Sequence, residues 1–277
     1  MHHPVLLAQV IDGLDITPEK KYIDATIGEG GHVMAILRKG GCVLGIDADN
    51  RQLTYLQYLK EQYPRLTLIH GNFANIESIA RENGFFPVDG ILFDLGLSWE
   101  QLQSLGRGLS FKKYDEVLDM RLDLATDYTA ADLLNKSSRS ELNELFMRNA
   151  EEPASDRLAQ EIMNVRRTHA INIVGDLVNI IRKVTPDSWE KTAVRIFQAL
   201  RIEVNREFEN LKAGLEGAKN VISKTGRIAV ISFHSREDRI VKQFIQKNHL
   251  LPITKKAIPG SRDKSFERSA KLRIFSL

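Results

Sequence analysis

The sequence predicts an α/β fold, an open and mostly parallel sheet of the Rossmann-like kind, interrupted once by an all-helical domain. Three observations carry that expectation. Four short apolar runs recur in the first hundred residues, each ending in polar or glycine residues: KYIDATIG (21–28), CVLGIDAD (42–49), LTLIHGNF (66–73) and VDGILFDLG (88–96). Helix-like stretches such as 50–62 and 74–83 separate them, and strands alternating with helices argue for βαβ units with both sheet faces covered. The next convincing strand, GRIAVISF at 226–233, comes about 130 positions after the fourth, far more than a crossover needs.

Taken in order, the N-terminal MHHPVLLAQVIDGLD has an apolar stretch too short and too soon interrupted for a signal peptide. The first run passes Asp24 and opens into Gly28, Gly30 and Gly31, a cluster that predicts a close approach to the backbone. The second run delivers Asp47 at its end, the third Asn72 and Phe73, the fourth Asp94. Since the pattern stops after about four strands, an open doubly wound sheet is favoured over a barrel. The gap is helical in character: TAADLL, SRSELNELFM, ASDRLAQEIMNVRR and NIVGDLVNIIRKV carry helical apolar spacing and polar caps. Phe197, Leu200, Val204, Phe208, Leu211 and Leu215 step by three or four and predict a single apolar stripe on one long helix. The chain then returns to the sheet at 226–233, and SAKLRIFSL at 269–277 predicts another strand. The expected division is a core at 1–103 and 207–277 with an inserted helical domain at 104–206.

Composition bounds the function. The 277 residues are 43% hydrophobic and 27% charged, as in a globular protein, and no apolar run approaches the roughly 20 residues that span a bilayer. One cysteine, Cys42, excludes an internal disulfide framework and any cysteine-based zinc cluster, and no metal site is expected. A cytoplasmic location is the expectation. The net charge of +3 conceals an asymmetry. Between Lys255 and Arg273 lie seven basic residues and two acidic ones, so the rest of the chain is slightly acidic. Such a localised basic tail is the footprint expected for phosphate contacts, although a solvated tail has the same composition.

In an open parallel sheet the ligand sits past the carboxyl ends of the strands. A glycine-rich loop there, followed by an acid 19 residues after Gly28 at the next strand end, points to an adenosine-containing cofactor whose ribose Asp47 would hold. Phe73 would flank the adenine. NAD and S-adenosylmethionine both suit this arrangement. Val33 stands where the dinucleotide fingerprint has its third glycine, which disfavours a pyrophosphate. Asp94 leans the same way, because a carboxylate suits a sulfonium or ammonium better than phosphates.

The same residues bear a wider resemblance. From end to end the chain carries HHPVLL, YIDATIGEGGH, GIDAD, HGNF, VDGILFDLGLSWEQLQ, RGLSF, LDMRLD, FQALRIEVNRE, SFHSREDR and RSAKLR. In these stretches it resembles the bacterial small-subunit ribosomal RNA (cytosine-N4)-methyltransferases, the RsmH or MraW family. The resemblance implies a class I methyltransferase core with an inserted helical domain that helps hold RNA, S-adenosylmethionine as cofactor, and the small ribosomal subunit or its 16S RNA as partner. It carries cofactor contacts onto Gly30, Gly31, His32, Asp47, Phe73, Asp94 and Gln101. The chain departs from the family pattern at Trp99, Leu109, Arg236 and Asn149-Ala150, and in a short segment before RSAKLR. None of these is a cofactor contact, so they bear on RNA docking.

Methyl transfer from a sulfonium is an in-line displacement needing no metal and no covalent enzyme intermediate; the protein places the acceptor and excludes water. Many amino-methyltransferases use a polar-Pro-Pro-aromatic motif at the fourth strand end. Here that place reads Asp94-Leu95-Gly96-Leu97-Ser98, so Asp94 and Ser98 are the polar candidates for catalysis. On the same rim, SFHSREDR places His234 beside the base or on its own backbone, with Glu237-Asp238 as a helix N-terminal acid cluster. The candidate RNA-binding residues are His234, Arg236, Arg262, Arg268, Lys271 and Arg273. A nicotinamide oxidoreductase and a non-catalytic RNA-binding module are the alternative readings.

Overall fold

The computed structural model describes residues 4–97, 101, 106–126, 128–264 and 266–277. It divides into two compact units, one of Met1–Gly96 with Phe208–Leu277 and one of Leu97–Glu207. The joints therefore fall at 96/97 and 207/208, where the sequence puts them at 103/104 and 206/207.

Four helices, α1 (Leu7–Leu14), α2 (Gly31–Arg38), α3 (Asn50–Gln62) and α4 (Ile76–Glu82), precede the helical unit. Within that unit lie α5 (Ala130–Lys136), α6 (Arg139–Ala150), α7 (Ser155–Val165), α8 (Val174–Val184) and α9 (Trp189–Val204); α10 (Glu207–Val221) and α11 (Ser235–Lys247) follow it. The strands are β1 (Lys21–Asp24), β2 (Cys42–Asp47), β3 (Leu66–His70), β4 (Val88–Asp94), β5 (Ile222–Ser232), β6 (Leu251–Pro252), β7 (Ile258–Pro259) and β8 (Lys271–Ser276).

The strands form one sheet in the order β3-β2-β1-β4-β5-β8-β6, with β7 also on β8. The first five are parallel, and β8 runs antiparallel to β5. Strand order reverses between β1 and β4, which are hydrogen-bonded neighbours, so their carboxyl ends flank the switch point. The short β6 and β7 have no counterpart in the sequence reading, because two residues ending in proline leave no periodicity to detect.

Alternation along each strand builds two apolar layers. Ile23, Leu44, Ile91, Phe93, Ile228 and Val230 face one side, where Leu211, Leu215 and Ala218 of α10 cover them. Tyr22, Val43, Leu92, Ala229 and Ile231 face the other, beneath α1 and α2. Each such side chain, removed from water, contributes roughly 1.5–3 kcal/mol of transfer free energy. Cys42 is half-buried at the amino end of β2, away from the strand ends that carry Asp24, Asp47 and Asp94.

The predicted single stripe from Phe197 to Leu215 is two helices. α9 ends at Val204, Arg206 takes a left-handed φ of 49°, and α10 starts at Glu207. Asn205 fixes the break: its side chain donates to the carbonyls of Arg201 and Met120 and accepts from the Leu122 amide. Apolar spacing runs through the break because the stripe is buried on both sides of it, in different cores.

The helical unit has its own core, built on Leu142, Phe146, Ile162, Leu177, Ile181 and Leu200. Polar caps start its helices where the sequence places them, with reciprocal Thr129–Asp132 and Ser138–Glu141 pairs. The carboxylate of buried Glu152 is held by Arg195. Among the described residues, no helix is long and apolar enough to cross a membrane.

Candidate functional site

Between β1 and α2 the chain turns through Gly28 and Gly30, both at positive φ (49° and 77°). The reason for these glycines differs from the sequence expectation. A Cβ on Gly31 would lie 2.8 Å from Pro4, and one on Gly30 would lie 3.0 Å from Leu56, so these two accommodate the protein's own packing. Only Gly28 faces open space, its nearest neighbour to such a carbon being the Thr26 carbonyl at 3.9 Å.

The loop is held by the acid at the next strand end. Asp47 Oδ2 accepts the Gly28 amide at 2.9 Å, and Oδ1 accepts the Asp49 amide at 2.8 Å. Asp49 in turn caps α3 by accepting the Arg51 amide. One carboxylate thus fixes both turns that border the site. Burial pushes Asp47 from 3.8 up to about 6, against the lowering effect of these two backbone bonds.

Across the switch point, the Asp94 amide donates to Thr26 Oγ1 at 2.7 Å, which pins the exit of β4 to that of β1. Asp24 lies beneath, accepting the Thr26 amide, and burial drives its carboxyl to about 7. Asp94 is raised well above 3.8, first by desolvation and then by Asp24 and Glu237. Its Oδ1 is buried and has no hydrogen-bond partner among the described residues. His32, on the first turn of α2, is buried between the Val5 carbonyl (3.0 Å) and Asp94 Oδ2 (3.6 Å).

Three carboxyls therefore converge on one sheet edge with little to neutralise them. This donor set fits a cationic, hydroxyl-bearing ligand: the orphaned Oδ1 needs a donor or a positive charge, and each Asp47 oxygen keeps a second lone pair. Phe73, in a 3-10 turn after β3, packs edge-on to Phe93 at 5.6 Å and lies beneath Gly214 of α10. Gln101 is buried within the helical unit. Ser98 lies outside the described residues.

A family model, the MraW methylase family, matches residues 1–276. The chain belongs to that family. It is similar to the "Ribosomal RNA small subunit methyltransferase H" of Dictyoglomus thermophilum, 42% identical over 99% of this chain and 96% of that protein. Proteins of the same name from Thermomicrobium roseum and Cytophaga hutchinsonii are 44% and 40% identical, over 89% and 98% of this chain and 77% and 91% of theirs. Membership decides between the two cofactors that the glycine loop left open: the chain is a methyltransferase using S-adenosylmethionine.

The basic candidates divide into four kinds. His234 is the N-cap of α11, its Nδ1 accepting the Glu237 amide at 3.4 Å while Glu237 accepts the Phe233 and His234 amides. Arg236 lies over the Phe208 ring, 4.8 Å from its centroid. Arg273 makes a two-point pair with Asp238 at 2.6 and 3.1 Å. Glu237 and Asp238 both stand in the first turn of α11, the acid cluster the sequence predicts. Arg262, Arg268 and Lys271 line a cavity. Sequence reasoning missed Thr26, whose hydroxyl joins the two central strands. It also missed the influence of Glu237 on Asp94; nothing in the spacing of SFHSREDR signals that proximity.

Proposed function

We propose that the protein transfers the methyl group of S-adenosylmethionine to the N4 amine of a cytosine in the 16S RNA of the small ribosomal subunit. The observation that carries this reading is the Asp94 carboxyl, buried at the exit of β4 with an unpartnered oxygen, in a chain of this family. Relatives named small-subunit ribosomal RNA methyltransferases support the substrate.

When bound, S-adenosylmethionine supplies a methyl group on a positively charged sulfur. Asp47 would hold the ribose hydroxyls, the Gly28–His32 loop would lie along the cofactor, and Phe73 would border the adenine. Gln101 is the remaining residue assigned to the cofactor. Asp94 faces the reacting end. A cytosine amine is a weak nucleophile because its lone pair is delocalised into the ring. An acceptor for its N–H localises that pair; we assign that role to Asp94 Oδ1, with Ser98 as the second candidate from the sequence. Carbon-5 methylation of cytosine relies on a cysteine nucleophile; Cys42, at the opposite end of β2, is badly placed for it. The helical unit helps hold the RNA, and the target base is extruded to reach the methyl donor.

The test is incubation of unmodified small subunits with labelled S-adenosylmethionine, followed by nucleoside analysis. The expected product is N4-methylcytidine. Recovery of 5-methylcytidine or a ribose-methylated nucleoside instead overturns the assignment.

A further inference from the structure

Beside the strand-end carboxylates the molecule has a cavity of opposite character. It holds about 370 Å³ and is lined by Phe233, His234 and Ser235 at the start of α11, by Pro259 and Gly260, and by Arg262 and Arg268–Lys271. That volume is near the lower end of small-ligand sites. Its walls are set by pairing: Lys271 opens β8 opposite Ser232 at the exit of β5, and Pro259 of β7 pairs with the same Lys271. The Gly260 amide donates to the Ala270 carbonyl at 2.9 Å and closes the far side.

The charge on this cavity is uncompensated. Among the described residues no ion pair joins Arg262, Arg268 or Lys271 to an acid. Two neighbouring acids are engaged elsewhere. Asp238 is bound to Arg273, and Glu267 takes the Ser261 and Leu6 amides and the Lys264 ammonium. All three cations are exposed. Exposed, unpaired guanidinium and ammonium groups around a hollow are the donor set that recognises a phosphoryl oxygen.

The position is equally specific. Asp94 lies beside Ile231 in the parallel β4–β5 pair, so Phe233 and His234 leave the sheet at the same edge as Asp94. Gly96, two residues past Asp94, is close enough that an added Cβ would lie 3.1 Å from the Phe233 ring. The ring that walls the cavity therefore also touches the loop leaving the acceptor-binding edge.

We propose that this cavity binds one phosphodiester of the RNA strand that carries the target base, with Arg262, Arg268 and Lys271 as its ligands. This rests on the RNA substrate proposed above and adds where the backbone is gripped. Phosphate contacts carry no sequence information but fix register. A grip next to the exit of β4 fixes which nucleotide reaches Asp94. The side chains reach into the cavity from an exposed rim, an arrangement suited to a strand passing over it.

The test is fluorescence anisotropy of a labelled single-stranded RNA with the full-length protein across a potassium chloride series. Each phosphate neutralised on a single strand contributes about −0.7 to the slope of log K against log salt. The Arg268→Gln/Lys271→Gln double variant is expected to flatten that slope by about 0.7, to weaken binding about tenfold near 0.1 M salt, and to leave cofactor affinity unchanged. Lys60→Gln, on the exposed side of α3, should not reproduce this. An unchanged slope in the double variant, an equal change in Lys60→Gln, or no RNA binding by the unaltered protein overturns the proposal. Competition by cytidine monophosphate as effective as by the oligonucleotide also overturns it and assigns the cavity to a free nucleotide. A flattened slope in a protein that methylates no small subunits would instead remove the function proposed above while keeping the phosphate site.

Discussion

His32 Nδ1 lies 3.6 Å from Asp94 Oδ2, while Nε2 of the same ring lies 3.0 Å from the Val5 carbonyl oxygen. A carbonyl only accepts, so Nε2 carries a proton and Nδ1 meets the carboxyl either as a lone pair or as a second N–H. Desolvation, with Asp24 and Glu237 nearby, raises the Asp94 carboxyl well above its ordinary range in the ligand-free protein, so it holds its proton more tightly than a free carboxyl.

A positive charge bound at this edge favours the carboxylate and releases that proton. Asp94→Asn is therefore expected to weaken S-adenosylmethionine binding about ten- to a hundredfold, but S-adenosylhomocysteine, which lacks the charge, only a few fold. Affinity of the unaltered protein for S-adenosylmethionine should also rise with pH, while that for the product, whose sulfur is neutral, stays nearly flat. Titration calorimetry measures both, and equal losses for the two ligands would refute a charge-reading role.

The raised carboxyls make a second expectation about the ligand-free protein. Asp24 moves from 3.8 to about 7 and Asp47 to about 6. A folded-state value above the unfolded one means that stability is fully present below about pH 4 and is lost as pH rises through about 6 to 7. Asp24→Asn keeps an oxygen for the Thr26 amide and removes the charge. It should raise the melting temperature at pH 8 by several degrees, on the order of 1–2 kcal/mol, and by distinctly less at pH 5. Calorimetric melts of both proteins at the two pH values decide it; a destabilised variant at pH 8 would show that Asp24 is ion-paired rather than stranded.

The parts of this molecule that follow a local rule are legible in the sequence. Ile23, Leu44, Ile91 and Val230 sit in apolar runs that stop at turns, and each became a strand with a polar residue at its exit. The relationships that make the site are not local. His32 reads as a loop residue until Val5 is brought under its Nε2, and Gly31 reads as a ligand-facing glycine until Pro4 is packed on it. Arg273 reads as one cation of a basic tail, yet Asp238, 35 residues away, holds it. The stripe through Phe208 misled for a related reason: apolar periodicity reports burial, and Arg206 breaks the helix without breaking the burial on either side.

Asp47 joins two turns as well as facing the ligand, so its loss has two parts. Asp47→Ala removes the acceptor for the ribose and also for the Gly28 and Asp49 amides. With charge-assisted hydrogen bonds at roughly 1.5–3 kcal/mol, S-adenosylmethionine affinity is expected to fall about ten- to a hundredfold. Asp47→Asn, which keeps one acceptor oxygen, should lose distinctly less. Equal affinity in the alanine variant and the unaltered protein would remove Asp47 from the cofactor site.

The last expectation separates the two units. Leu97–Glu207 has its own core, and the other unit keeps both faces of its sheet covered by its own helices. The ends to be rejoined lie near one another. Gly96 approaches the Phe233 ring, and the Phe208 ring lies 5.5 Å from that of the adjacent His234. Replacing 97–207 with a short flexible linker should therefore leave a folded sheet unit. That unit retains Asp24, His32, Asp47, Phe73 and Asp94 and loses Gln101. S-adenosylmethionine binding should persist, weakened by roughly the one or two hydrogen bonds of a glutamine, about 0.5–1.5 kcal/mol each. Methylation of small subunits should be lost, because the elements proposed to hold the RNA are gone while the cofactor edge remains. Circular dichroism establishes that the shortened protein is folded, calorimetry reads cofactor binding, and labelled methyl transfer reads activity. A folded, cofactor-binding sheet unit that still methylates small subunits at a comparable rate would show that the helical unit is not the RNA-holding element.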